Sequence, residues 1–156
     1  MARHQITFQS VAAVAATTNF GNIVAAAAAN YKLRRLNLSC FTSTAVVPTN
    51  QQMVLAIFRA TARGTQTTTV APLANDPRSV APQSPGVDTV WSVQPTLAAN
   101  PMIRIALNTQ ATLDTAYEFN DEYICDQGTA NGLTFQNQTA ALPSGHAWNV
   151  AAEIEE

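Results

Sequence analysis

The residues that could form a catalytic group are few and lie in turn-like sequence. His146 follows Ser144 and Gly145, and Asp121 and Asp126 lie upstream as possible carboxylate partners. A serine nucleophile needs a positioned base and a strained elbow, and no elbow motif surrounds Ser144. Ser-Gly-His is more typical of a turn than of a catalytic pair. We therefore predict that the chain has no catalytic residue and is not an enzyme.

Metal binding has one candidate segment. Five carboxylates, at Asp114, Glu118, Asp121, Glu122 and Asp126, form the only acidic cluster. Their spacing lacks the glycine and the final glutamate of an EF-hand loop. The cluster is open to three interpretations: a loose calcium site, a solvated acidic face, or a set of partners for Arg34 and Arg35. His4 has no second ligand at strand or helix spacing and is expected to be solvated or lightly packed. We expect no metal and no cofactor.

The two cysteines are predicted to be small buried hydrophobic side chains. Cys40 and Cys125 are far apart, form no CxxC motif and have no histidine close by. These features indicate neither a zinc site nor a secreted disulfide framework. The chain also shows no leader pattern and no apolar run of membrane-spanning length. We expect a product assembled in a cytosol, with no membrane partner.

Charge is scarce and unevenly distributed. Charged residues make up 12% of the 156 residues, and Lys32 is the single lysine. Residues 1–74 carry six cations and no acid, whereas residues 75–156 carry all ten acids and two arginines. The split is open to two interpretations: ion pairing within one domain, or head-to-tail complementarity between copies. Six scattered cations are too dispersed for a nucleic-acid footprint.

The segments that must position these residues have sequence patterns typical of β-strands. Residues 32–41 alternate apolar and polar side chains, and residues 53–58 are all apolar, as in a strand covered on both faces. We take residues 32–41 and 52–61 as the central pair of strands. Further strands are predicted at residues 4–10, 23–29, 66–70, 89–93, 102–107, 123–125, 133–137 and 147–154.

The remaining segments are predicted to be irregular. Residues 11–22 are expected to form an arm or loop, residues 111–121 an irregular stretch, and Asn131-Gly132 a type I′ hairpin turn. Residues 72–86 carry four prolines and are expected to form a loop. The sequence thus predicts an all-β protein, an antiparallel β-sandwich of jelly-roll type. Residues 1–22 would be an N-terminal arm with the first strand, and residues 23–156 a single domain.

Several short motifs follow one another along nearly the whole chain: KLRRLNLS at 32–39, AIFRATARGT at 56–65, PL at 72–73, DP at 76–77, WS at 91–92, PTL at 95–97, GTANGL at 128–133 and EIEE at 153–156. Their order resembles small structural proteins of tailed bacteriophages, in the group of head-decoration or minor capsid proteins with a jelly-roll domain. The resemblance implies a non-enzymatic virion component, often multimeric, on an assembled shell. It does not distinguish the capsid from the tail.

The expected partners are the major capsid protein or another shell protein, together with further copies of the chain, in a trimer by preference. The alternative is a phage tail or receptor- and glycan-binding sandwich, for which Tyr117, Phe119 and Tyr123 form the only aromatic group. We expect the arm and the proline-rich loop to contact the shell and to be mobile in the free protein. The predicted contact residues are Arg3, Ile6, Phe8, Pro77, Arg78, Pro82 and Pro85.

Overall fold

A computed structural model describes residues 2–42, 45–76, 78, 80–117 and 123–156. The described residues form thirteen strands. None of them belongs to a helix that could cross a membrane. The strands are β1 (Arg3–Gln9), β2 (Thr18–Val24), β3 (Tyr31–Thr42), β4 (Gln52–Ala62), β5 (Thr65–Val70), β6 (Leu73–Ala74), β7 (Gly86–Val93), β8 (Thr96–Leu97), β9 (Ile103–Asn108), β10 (Thr112–Ala116), β11 (Tyr123–Cys125), β12 (Gly132–Asn137) and β13 (His146–Glu155).

Two antiparallel sheets pack face to face, which confirms the predicted all-β sandwich. The first sheet has the strand order β10-β3-β13-β1-β6, with β11 also paired to β3. The second has the order β5-β7-β2-β12-β4-β8, with β9 also paired to β4. Strands β3 and β4, the predicted central pair, lie in different sheets. Consecutive strands that change sheet in this way are a feature shared with jelly-roll sandwiches.

The core lies between the sheets and follows the period-two pattern of the strands. In β13 the side chains of Trp148, Val150, Ala152 and Ile154 are buried, as their alternation predicts. Four aromatic rings meet at the centre, where Phe8 contacts Phe135 edge-to-face at 5.5 Å and Phe20 stacks on Trp148 at 6.3 Å. Burial of each such side chain contributes about 1.5–3 kcal/mol, so this cluster holds the two sheets together.

The predicted N-terminal arm is wrong for the described residues, because β1 and β2 are integral strands. β1 pairs with β13 over seven residues, from Arg3 opposite Glu155 to Gln9 opposite Asn149. β6 covers part of its other edge. β2 lies between β7 and β12 in the second sheet. Residues 2–22 are therefore part of the sandwich and not a separate unit.

Three local predictions also need correction. Strand β2 begins before residue 23 and ends at Val24, so the alanines at 25–29 are not a strand. Part of the stretch expected to be irregular forms β10, which is paired with β3. No hairpin forms at Asn131-Gly132, because β11 joins the first sheet and β12 lies between β2 and β4 in the second.

Candidate interaction face

The outward side of the first sheet is an open, ordered array of side chains. Strand alternation places rows of residues across β1, β13 and β3 with their side chains away from the core. One row is Thr7, Ala151 and Asn37, and the next is Gln9, Asn149 and Ser39. These six residues, which we call the polar patch, are exposed or half-buried. The patch is therefore accessible across the three central strands of the sheet.

The polar patch carries hydrogen-bonding groups and small side chains but no charge. In the described structure the side chains of Thr7, Gln9 and Asn37 make no hydrogen bond, so their polar atoms face outward. Covering such groups costs far less desolvation free energy than covering unpaired ions. A shallow cavity of about 330 Å³ indents the sheet next to the patch. It is lined by Gln5, Arg35, Asn37, Ala151, Ala152 and Glu153.

Charged residues gather at one end of the same face and neutralise one another. Arg3 donates to Glu153 at 3.1 Å, and Arg34 donates to Glu155 at 2.8 Å. Arg35 makes a two-pronged contact with Asp114, with its Nε at 2.9 Å. Each pair joins a cation of the basic half to an acid of the acidic half. Intramolecular pairing, one of the two interpretations of the charge split, is thus what the structure shows.

These ion pairs shift the pKa values of their carboxyl groups. The hydrogen bond from Arg34 is the main cause that lowers the pKa of Glu155 below its ordinary value. The hydrogen bond from Arg35 likewise lowers the pKa of Asp114, and the same contact raises the pKa of Arg35. Both partners of the Arg35 pair are solvent-exposed, and exposed pairs contribute little to stability. Their consequence is a face with little net charge.

The outer side of the second sheet is covered by the chain itself. Asn22, Asp88 and Thr134 alternate with core residues, yet all three are fully buried. Asp88 accepts hydrogen bonds from Arg63 at 2.7 and 2.8 Å and from Thr69 at 2.6 Å. The hydrogen bond to Asp88 raises the pKa of Arg63. On β4 the outward residues Ala56, Phe58 and Ala60 are also buried, so this part of the strand is covered on both faces, as its continuous apolar run predicts.

The connection from β7 to β8 leads from the strand beside β2 to the strand beside β4. Within it Gln94 accepts a hydrogen bond from Asn19 of β2 at 3.1 Å. The outer faces of the two sheets therefore differ. Across β7, β2 and β12 the outer face of the second sheet is occupied by its own chain, whereas the outer face of the first sheet is open across β1, β13 and β3.

A buried polar group that the sequence reasoning missed lies beside β1. The carboxylate of Glu156 accepts backbone hydrogen bonds from Gln83 and Ser84, each at 2.7 Å, and lies 3.5 Å from Nε2 of His4. His4 is only 1% exposed, so the expectation of a solvated or lightly packed histidine is wrong. The signal was available, since His4 alternates with Ile6 and Phe8 and so shares their inward face.

This group does not have the geometry of a Ser-His-Glu triad. The Ser84 hydroxyl donates to the carbonyl of Val24 at 2.6 Å and accepts from the amide of Gly86 at 3.1 Å. It is buried and makes no hydrogen bond to His4. A nucleophile must be within reach of its base, so the arrangement supports a structural contact.

His146 is likewise fixed by backbone groups. Its Nε2 accepts from the amide of Thr49 at 3.0 Å, and its Nδ1 lies 3.1 Å from the carbonyl of Ser144. This pair of contacts fits the tautomer with the proton on Nδ1. His146 pairs with one end of β3, whereas β11, just before Asp126, pairs with the other end. The two ends are about 35 Å apart, so Asp126 cannot partner His146. Asp121 lies outside the described residues.

The two cysteines are free thiols at opposite ends of β3. Cys125 is buried beside Tyr31, and half-buried Cys40 lies nine positions further along the strand. That separation is about 30 Å, which excludes a disulfide between them. Burial raises the pKa of each thiol to about 11. Both side chains pack against the core, as predicted for small hydrophobes.

The acidic segment shows no metal-like arrangement in the part that is described. Among those residues no three His, Cys, Asp or Glu side chains come together. Asp114 is a partner of Arg35, one of the three interpretations of the acidic cluster. Asp126 is exposed, and Glu118, Asp121 and Glu122 lie outside the described residues. The described carboxylates therefore offer no cage for a cation.

The predicted contact residues do not form one surface. Ile6 and Phe8 are core residues with at most 3% exposure, so their assignment to an interface is wrong. Arg3 lies at the charged end of the open face. Arg78 is exposed and pairs with Asp76, which lowers the pKa of that carboxyl.

The rest of the proline-rich loop is only partly accessible. Pro82 and Pro85 are half-buried, and Pro77 lies outside the described residues. The expectation of a freely mobile loop is wrong at Gln83 and Ser84, which are held by Glu156. The sequence did not predict the polar patch as a site. Its residues are the outward-facing ones in the alternating patterns of β1, β3 and β13.

Comparison of the chain with protein-family models, curated proteins and solved structures finds no match.

Proposed function

We propose that the chain is a non-enzymatic structural protein of a tailed-bacteriophage virion, which decorates or cements the assembled head shell. The open outer face of the first sheet is the observation that carries the proposal. The resemblance of motif order to head-decoration and minor capsid proteins supplies the class of partner. Under this proposal the polar patch lies against the major capsid protein or another shell protein. The protein is assembled in the host cytoplasm and resides on the capsid surface.

The physical character of the face supports this role. A shell presents many identical sites, so modest contacts repeated by symmetry give tight attachment overall. Uncharged amides, hydroxyls and alanines pack and hydrogen-bond over a broad area without burying unpaired ions. The ion pairs at the end of the face near Arg3 and Arg35 are already satisfied within the chain. They leave little net charge to oppose contact.

Self-association as a trimer is part of the proposal. Head-to-tail contact between copies is one of the two interpretations of the split between basic and acidic halves. The pairs Arg3–Glu153, Arg34–Glu155 and Arg63–Asp88 now account for much of that split within one chain. The charge-poor surface is the remaining argument for an oligomer. Light scattering on the purified protein measures this state directly.

The second candidate is a phage tail or receptor- and glycan-binding module. The cavity beside Ala151 favours it, because the amides of Gln5 and Asn37 could bond to sugar hydroxyls. The aromatic group does not supply a stacking platform. Tyr117 and Tyr123 meet edge-to-face at 5.0 Å and pack against the core. Phe119 lies outside the described residues.

Quantitative mass spectrometry of purified virions tests the proposal against this alternative. For a decoration protein we expect a copy number comparable to that of the major shell subunit. A handful of copies per particle would instead indicate a tail or receptor-binding component. Complete absence from the particles would contradict both.

A further inference from the structure

A side chain from a distant part of the sequence, that of Glu156, contacts the proline-rich segment and attaches it to the sandwich. Oε2 of Glu156 accepts from the amide of Gln83 and Oε1 accepts from that of Ser84, both at 2.7 Å. These distances are in the range of charge-assisted hydrogen bonds. The Ser84 hydroxyl extends the attachment to β2 through the carbonyl of Val24.

The carboxylate itself is held rigidly. Glu156 and Ala2 exchange two backbone hydrogen bonds of 3.0 Å each, which continue the pairing of β13 with β1. The Glu156 side chain is 3% exposed and lies next to the His4 ring. Neither ring nitrogen of His4 makes a hydrogen bond to the described residues. Glu156 is thus fixed between an unsatisfied imidazole on one side and two amide donors on the other.

The contact requires the ionised carboxylate. Both groups from the loop are donors, so a protonated carboxyl would direct an O–H at an N–H and lose one of the two bonds. The other charged groups near Glu156 are His4 on β1, Lys32 on β3 and Glu155 on β13. Lys32 and Glu155 line a cavity together with Glu156. On the loop side the described charges, Asp76 and Arg78, pair with each other.

We propose that Glu156 is a latch for residues 80–85, the part of the loop that precedes β7. Its negative charge keeps this segment docked, and loss of the charge releases the segment while both sheets stay folded. This inference does not depend on the proposed function.

Amide hydrogen exchange followed by NMR on the full chain tests the latch. We expect Glu156→Gln to speed exchange at Gln83 and Ser84 by about tenfold or more relative to wild type. A glutamine can accept from only one of the two amides and turns its own NH2 toward the other. Exchange at Phe8 and Val150 in the core should stay unchanged. Glu155→Gln is the matched control, because it removes a neighbouring carboxylate that bonds to Arg34 and not to the loop.

Two results would overturn the proposal. Unchanged exchange at Gln83 and Ser84 in Glu156→Gln would show that the carboxylate does not hold the segment. Equal acceleration at the loop and core amides would show that Glu156 stabilises the whole fold and is no local latch.

Discussion

At the scale of single residues, Gly21 and Phe8 set how closely the two sheets approach. Gly21 lies on β2 in the second sheet, and the ring of Phe8 reaches it from β1 in the first. A Cβ placed on Gly21 would lie 2.1 Å from Cε2 of Phe8, well inside contact distance. Phe8 also packs on Phe20 and Phe135, so the ring has little room to withdraw.

Gly21→Ala should therefore destabilise the fold. We expect a loss of about 1–3 kcal/mol, as for other overpacked cores, measured by urea unfolding. Ser39→Ala on the polar patch is the control and should change stability by no more than about 0.5 kcal/mol. A Gly21→Ala protein as stable as wild type would show that the sheets are not packed this closely.

Glu155 makes stability depend on pH in a defined direction. Its pKa is lowered in the folded protein from an ordinary value of 4.5, mainly by the hydrogen bond from Arg34. A group whose pKa is lower when folded stabilises the fold above its unfolded pKa, and loses that contribution as pH falls through its folded pKa. The stabilisation is therefore present at neutral pH and lost in acid.

Glu155→Gln should lower the unfolding free energy at neutral pH and have a smaller effect in acid. Urea unfolding at about pH 7 and about pH 3 compares the two conditions. Asp126→Asn is the control, because Asp126 is exposed and makes no ion pair with the described residues. A Glu155→Gln effect of equal size at both pH values would contradict the assignment of the ion pair.

At the scale of elements, β1 is a structural strand and not a removable arm. It contributes Ile6 and Phe8 to the core and pairs with β13 along its whole length. We expect a chain lacking residues 1–10 to lose cooperative folding, because a typical domain has only about 5–15 kcal/mol of stability. Thermal unfolding followed by circular dichroism measures this.

A matched substitution distinguishes the contribution of the whole strand from that of its outward side chains. Thr7→Ala changes β1 only on its outward side and should leave the unfolding transition within about 0.5 kcal/mol of wild type. A truncated chain that still unfolds in a single sharp transition would show that β1 is dispensable. It would then restore the interpretation of residues 1–22 as an arm.

Alternation in the sequence was enough to predict the strands whose inner faces form the core. β1, β3 and β13 match their patterns closely, since one face of each is buried and the other is polar. β10 was missed because Leu113 is its one large apolar residue, and its pairing depends on β3 and the Arg35–Asp114 contact. The first part of β2 was missed because Asn19, Gly21 and Asn22 resemble a loop until Phe8 and Thr134 pack against them.

At the scale of the whole molecule, the sequence predicted the sandwich but not which of its faces would be open. A period-two pattern shows that a strand has a polar side, but not whether another segment covers that side. Asn22 on β2 and Asn37 on β3 both have their side chains on the side of the sheet that faces away from the core. Asn22 is fully buried under its own chain, whereas Asn37 is accessible. Asp88, the partner of Asn22 on β7, is held by Arg63, which follows β4, and by Thr69 of β5. Such contacts between distant segments are not visible in the alternation of a strand.

Binding to shells that lack the protein tests the proposed interaction face most directly. Ala151 is at the centre of the polar patch, and Ala151→Arg adds a long charged side chain there without entering the core. Ala106→Arg is the control, because Ala106 is an exposed residue on β9 of the other sheet. Co-sedimentation measures the affinity for such shells. We expect this affinity to fall by about tenfold or more for Ala151→Arg and to stay at the wild-type level for Ala106→Arg. A folded Ala151→Arg protein that binds the shells as tightly as wild type would contradict the account.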